Sequence, residues 1–189
     1  MSSDTAIRAD LEQLTGDYTL DQAHTRLGFV ARHAMVTKVR GSFHDFDGTI
    51  HVDGANPANS SGRETIRTKS IDTGSADRDA HLRSNDFFAM DEHPEITFVS
   101  TAVAPVDAST YRVTGDLTIR GVTRPVTIDF TFTGSATDPF GNQRIGLEGS
   151  VTVNRKDWGV SWNAALEAGG VLVSEKVTLE LDVSAIKIA

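Results

Sequence analysis

Residues Gly115 to Gly134 read GDLTIRGVTRPVTIDFTFTG. Leu117 and Ile119 alternate with Asp116, Thr118 and Arg120, while Val126, Ile128, Phe130 and Phe132 alternate with Thr127, Asp129, Thr131 and Thr133. Period-2 alternation in β-branched and aromatic residues predicts two strands, each with one buried face. Gly121 to Pro125 is read as the turn, with Pro125 at the first residue of the second strand, where a missing N–H is tolerated. The hairpin then has one apolar and one threonine-rich face. Two strands cannot bury that apolar face alone, so the rest of the chain must supply more of the same sheet.

It does so in both directions. Downstream, the turn Asp138-Pro139-Phe140-Gly141-Asn142 is followed by Ile145, Leu147, Gly149, Val151 and Val153, all of one parity, and later Val177, Leu179, Leu181 and Val183 alternate with charged and threonine positions. Upstream, Ile96, Phe98, Ser100 and Ala102 share a face, as do Leu27, Phe29, Ala31 and His33; Val39, Gly41 and Phe43 precede Ile50 and Val52. Thr65 to Ile71 is a weaker strand, and Tyr18 with Leu20 a short one. Between Gly74 and Pro94 the alternation stops. Ser75 is a plausible N-cap with Asp77 and Asp79 in the first turn, which predicts a helix over roughly 76–85. Phe87, Phe88 and Met90 follow it toward a buried position, and His93-Pro94 ends the excursion. Residues 1–15, with Ile7, Leu11 and Leu14 at helical spacing, form a tail or short helix, and 16–189 form a single domain. About eight strands with one short helix fit an all-β, lipocalin-like, eight-stranded antiparallel barrel. An immunoglobulin-like sandwich has the same periodicity, but the length of these strands favours the barrel.

Composition removes whole classes of function. A formal net charge of -8 with no Lys/Arg cluster argues against nucleic acid as a partner. The absence of cysteine excludes disulfides, thiol catalysis and thiolate metal sites. No apolar run is long enough to cross a membrane, and MSSDTAIRADLEQL lacks an apolar signal core, so the expectation is a soluble, cytoplasmic protein. The six histidines form no HExxH pair, no Gly-rich phosphate loop precedes a helix, and no GxSxG is present. Neither metal nor cofactor is expected, and catalysis is unsupported.

Several short motifs, taken in order, carry a family likeness. They are Asp21-Gln22-Ala23-His24, Phe29 to His33, Gly41-Ser42-Phe43, Ser70 to Asp72, His81-Leu82-Arg83-Ser84 leading to Phe87-Phe88, and His93-Pro94-Glu95-Ile96-Thr97-Phe98. The hairpin GDLTIRGVTRPV and Asn154-Arg155-Lys156-Asp157-Trp158-Gly159 complete the set. From about Gly16 to Ile186 the chain resembles the YceI-like, polyisoprenoid-binding family. That resemblance implies a lipocalin-like barrel, often dimeric, enclosing an apolar tunnel for polyisoprenoid chains, quinone tails included, with no catalytic machinery. Some relatives are exported behind an N-terminal signal; the polar segment Met1 to Gly16 departs from that.

A tunnel of this kind needs apolar walls more than polar anchors, because burying the five carbons of one isoprene unit is worth roughly 4 kcal/mol gross. The candidate lining residues are Phe29, Phe43, Ile50, Phe98, Leu117, Ile119, Ile128, Phe130, Ile145 and Leu147, with Phe87 and Phe88 at the helix. The plainer reading of any one of them is core filling, since parity does not distinguish a tunnel wall from a packed interior. Candidate head-group contacts are Arg32, His33, Arg155 and Trp158. An arginine fork fits a diphosphate or quinone oxygen, although an arginine near a turn more often makes an ion pair, and Trp158 with Trp162 more often packs a turn than gates a rim. The expected function is non-enzymatic binding, transport or storage of an isoprenoid or similar amphipathic lipid. The alternatives are an enzyme using His33 or His81 as acid or base, and a stress-response or interaction module with a filled barrel.

Overall fold

The computed structural model describes residues 10–167 and 169–188. Its strand segments are β1 (Gly16–Leu20), β2 (Arg26–His33), β3 (Thr37–Phe43), β4 (Phe46–Val52), β5 (Ser61–Arg67), β6 (Ile71–Asp72), β7 (Glu95–Pro105), β8 (Thr110–Ile119), β9 (Val122–Thr137), β10 (Gln143–Asn154) and β11 (Lys176–Lys187). They make eight staves, because β1 and β2, β3 and β4, and β5 and β6 are successive parts of single interrupted strands. β1 and β2 both lie along β11, with Leu20 opposite Ala185 and Arg26 opposite Asp182. β4 pairs with β1 and β3 with β2. Every neighbour is antiparallel and adjacent in sequence, and the first stave meets the last, so the sheet closes into the expected eight-stranded barrel.

The break between β1 and β2 is the Asp21-Gln22-Ala23-His24 motif. The Asp21 carboxylate accepts from Ala23 N–H at 3.0 Å, His24 Nδ1 at 2.7 Å and Arg144 Nη1 at 2.5 Å, and Gln22 donates to the Phe46 carbonyl. These bonds hold the kink while Thr25 exchanges hydrogen bonds with Ser184 on β11, so the ladder resumes without a gap.

The opening hairpin differs from expectation in its turn. Ile119 pairs with Val122, leaving a two-residue turn of Arg120 (φ 52°) and Gly121 (φ 74°), the left-handed pair of a type I′ connection. Pro125 therefore lies three residues inside β9. It is tolerated there because the β9–β10 register begins only at Asp129, so the missing N–H falls where β9 has lost β10 as a neighbour. The strand expected over Thr65 to Ile71 is broken by a 3₁₀ turn at Thr68–Ser70, where buried Thr68 donates its N–H to the Pro94 carbonyl. Helix α1 (Ala76–Arg83) starts at the Ser75 cap and stops two residues early, because Ser84 turns to extended geometry and bonds back to His81. Residues 10–13 are helical and Leu14 is buried, while Ile7 lies outside the described residues.

Two apolar clusters occupy the interior. One joins Phe87, Ile96, Leu117, Val126, Ile128, Trp158 and Val160 beneath α1 and the hairpin; the other joins Leu14, Tyr18, Ile145 and Ala185 at the opposite end.

Candidate ligand-binding cavity

Between these clusters the barrel is hollow. A cavity of about 180 Å³ is walled by Ile50, Val52, Phe98, Val103, Tyr111, Val113, Phe130, Phe132, Ile145, Leu147 and Val183, and closed at one end by Leu11, Leu14 and the loop containing Asp53, Gly54 and Pro57. The closure is tight. Gly54 rests on the Leu11 carbonyl so closely that even a methyl group would overlap that backbone, and its N–H donates to Thr15 Oγ1 at 3.0 Å. Asn56 N–H and Asn59 Nδ2 donate to the Asp53 carboxylate, which holds it below the usual carboxylate range and fixes the loop.

The hollow follows from where glycine falls. On the inward parity Gly115 sits under the Phe98 ring and Gly149 under the Phe130 ring, each so close that a Cβ would collide with the aromatic carbons. The rings consequently lie against the wall of the next strand instead of filling the centre. Inward side chains such as Phe98, Phe130 and Leu147 are only half-buried for the same reason: they face a space.

One inward strand side chain is a carboxylic acid. Register places Glu64 opposite Gly48 on β4 and Phe98 on β7, on the face that lines the cavity. Its Oε1 is shut off from solvent and has no hydrogen-bond partner among the described residues. Desolvation pushes the carboxyl up from 4.5 to about 7.

Of the residues expected to line a tunnel, Ile50, Phe98, Phe130, Ile145 and Leu147 face this cavity. Phe87, Leu117 and Ile128 are buried in the cluster beneath α1, with Phe43, Phe88 and Ile119 packed on it, and Phe29 packs against Phe43 with the rings tilted by 49° and their centres 5.9 Å apart. Glu64, Val52, Val103, Tyr111, Val113, Phe132 and Val183 also line it and were missed. The last two share parity with Phe130 and Leu181, which was the available signal; nothing in the local sequence marks Glu64.

The four head-group candidates stand elsewhere. Arg155 is buried and gives its guanidinium to the carbonyls of Ser174 (2.8 Å), Val160 (2.6 Å) and Val173 (3.3 Å), while burial lowers its pKa. Arg32 pairs with Ser174 through its backbone and His33 bridges to Val173, so all three gather on the strap leading into β11. Trp158 is buried and donates Nε1–H to the Leu117 carbonyl at 2.9 Å, clasping the hairpin, as Arg120 does through the Phe87 carbonyl. This strap enters the start of β11, whereas the cavity borders Val183 in its later half. His24, His44, His51 and His81 each pair with an aspartate, and no group of three His, Asp or Glu gathers to hold a metal among the described residues. No helix among them is long and apolar enough to cross a membrane.

Known proteins share this architecture. A UPF0312 protein of Staphylococcus aureus is 41% identical over 165 residues, covering 87% of this chain and 94% of its own. The crystal structure of Burkholderia cenocepacia BcnA superposes with a TM-score of 0.77 at 25% identity, covering 87% of this chain and 98% of the other. A polyisoprenoid binding domain from Saccharophagus degradans, implicated in plant cell wall breakdown, has the same fold at 16% identity and a TM-score of 0.69, covering 90% of this chain and 98% of that one. The YceI-like domain family matches residues 18–185, from buried Tyr18 on the first stave to buried Ala185 on the last, and the chain belongs to that family.

Proposed function

We propose that this protein binds, carries or stores an isoprenoid or similarly chain-like amphipathic lipid inside its barrel, without catalysis of its own. The observation that carries the reading is the hollow: a cavity of about 180 Å³ with aliphatic and aromatic walls, kept open by phenylalanines folded over glycines. An apolar space of this size stays dry and takes a ring or a short hydrocarbon. The remainder of a longer chain would leave past Leu11 and Pro57, so uptake requires the end formed by residues 10–14 and the 53–60 loop to open. The polyisoprenoid-binding name of the Saccharophagus neighbour supports the same class of ligand. In this reading the protein works in the cytoplasm, and a dimer, as the family resemblance implies, would not need to alter the cavity.

Native mass spectrometry of protein purified from its own host, followed by solvent extraction, tests this. Released species whose masses differ by isoprene units are the expected result. A clean apo mass, with no uptake of added polyprenyl or quinone compounds, refutes it.

A further inference from the structure

We infer that Glu64 receives the polar end of the ligand, which enters the barrel head first and carries a neutral hydrogen-bonding group, an alcohol or ring carbonyl, in place of a diphosphate. This rests on the carrier reading and adds to it an orientation and a head-group class.

The geometry makes Glu64 an anomaly that a ligand removes. Its Oε1 is shut off from solvent without a protein partner among the described residues, although nearly all buried polar side-chain atoms in folded proteins have a partner. Among the described residues no cation pairs with it. Arg63 and Arg67 on the same strand have outward parity, and Arg67 pairs with Asp47 at 2.6 Å. On the flanking strands Asp47, His51 and Glu95 also turn outward, His51 to Asp17 at 2.8 Å. Within the cavity lining the other titratable residues are Arg63, the chain neighbour of Glu64 with opposite parity, Asp53, whose oxygens accept from Asn56 and Asn59, and Tyr111 on β8, whose phenol is raised by burial and by Asp107. A hydrocarbon tail pressed against Glu64 would leave the carboxyl unpaired and still desolvated, which is unfavourable. An alcohol or carbonyl satisfies it in either protonation state: the acid donates to a carbonyl, and the carboxylate accepts from a hydroxyl. The terminal carboxyl torsion is broad, so turning Oε1 toward the cavity meets little resistance. A diphosphate brings like charge into the same low-dielectric space and is repelled.

The test titrates the full chain with three probes sharing one geranylgeranyl tail: geranylgeraniol, menatetrenone and geranylgeranyl diphosphate. Binding is followed by tryptophan fluorescence and calorimetry in wild type, Glu64→Gln and Glu64→Leu, with circular dichroism confirming that both variants fold. Wild type should favour the alcohol and quinone over the diphosphate by tenfold or more. Glu64→Leu should weaken those two about tenfold without weakening the diphosphate, the size expected when one buried hydrogen bond is lost. Glu64→Gln should hold them within about threefold. Unchanged binding of all three probes by both variants, or a wild type that prefers the diphosphate, overturns the inference and leaves the carrier reading standing. A wild type that takes none of the probes overturns both.

Discussion

Replacing Glu64 by glutamine should change how stability depends on pH, in a direction fixed by the cavity. Burial raises the folded-state carboxyl from 4.5 to about 7. Below about pH 4.5 both folded and unfolded chains hold the proton, and the residue exacts no ionisation penalty. Between about 4.5 and 7 the unfolded chain releases it while the folded chain keeps it, so stability falls as pH rises; above 7 both are ionised and the whole penalty persists. A shift of that size corresponds to about 3 kcal/mol at 1.36 kcal/mol per unit. This is an upper figure, since a carboxylate can draw water into the cavity. The Glu64→Gln protein has no such titration. Its unfolding free energy relative to wild type should therefore improve by as much as about 3 kcal/mol between pH 4.5 and pH 8, roughly 6–12 °C in Tm for a chain of this length. Urea denaturation of both proteins at pH 4.5, 6 and 8 measures it. The four histidine–aspartate pairs are common to both proteins and cancel in the difference, as does any constant effect of the amide. Parallel stability curves across this range would refute the claim that Glu64 is a desolvated, unpartnered carboxyl.

Three further outcomes follow from the geometry. Gly149→Ala should destabilise by about 1–3 kcal/mol, because the new methyl meets the Phe130 ring; an unobstructed strand glycine would instead gain roughly 0.5–1 kcal/mol, so the sign in a denaturation experiment decides. Arg155→Met should destabilise by about 3 kcal/mol and raise hydrogen exchange across residues 172–175, because the carbonyls of Val160 and Ser174 lose the guanidinium and that of Val173 is left with Asn163 Nδ2. Burial pushes the Asp138 carboxyl up, but the Arg144 guanidinium with the Asn142 and Phe140 N–H groups overrides this and holds it at about 2. Its contribution is present above the ordinary carboxylate range and lost as pH falls through about 2, so Asp138→Asn should flatten the acid limb of an unfolding titration between pH 4 and pH 2.

The barrel was legible because alternation is a one-dimensional signal. The parity of Leu117, Ile128, Phe130 and Leu147 can be read without knowing which strand each one faces, and eight such runs in antiparallel sequence leave few ways to close. The hairpin turn was misplaced for a related reason: Pro125 is strong local punctuation, whereas its tolerance inside β9 depends on the pairing with β10 stopping at Asp129, which only the register reveals.

Whether the barrel is hollow or filled is a two-dimensional property. Phe130 lies flat because Gly149 is its cross-strand partner, and Phe98 because Gly115 is within reach of its ring. In the sequence these glycines read only as weak points in their strands. Glu64 was hidden in the same way, since a charged residue near the weak run of Thr65 to Ile71 suggests an outward face until Gly48 and Phe98 fix it as inward. Arg32, His33 and Arg155 illustrate the opposite error. Their chemistry suits a head group, but their donors and backbones are committed to the strap at residues 172–174, remote from the cavity along β11. Residue type proposes what a side chain can recognise. Register and unsatisfied hydrogen-bonding capacity decide whether it is free to do so, and among the described residues the inward side chain that combines both properties is Glu64.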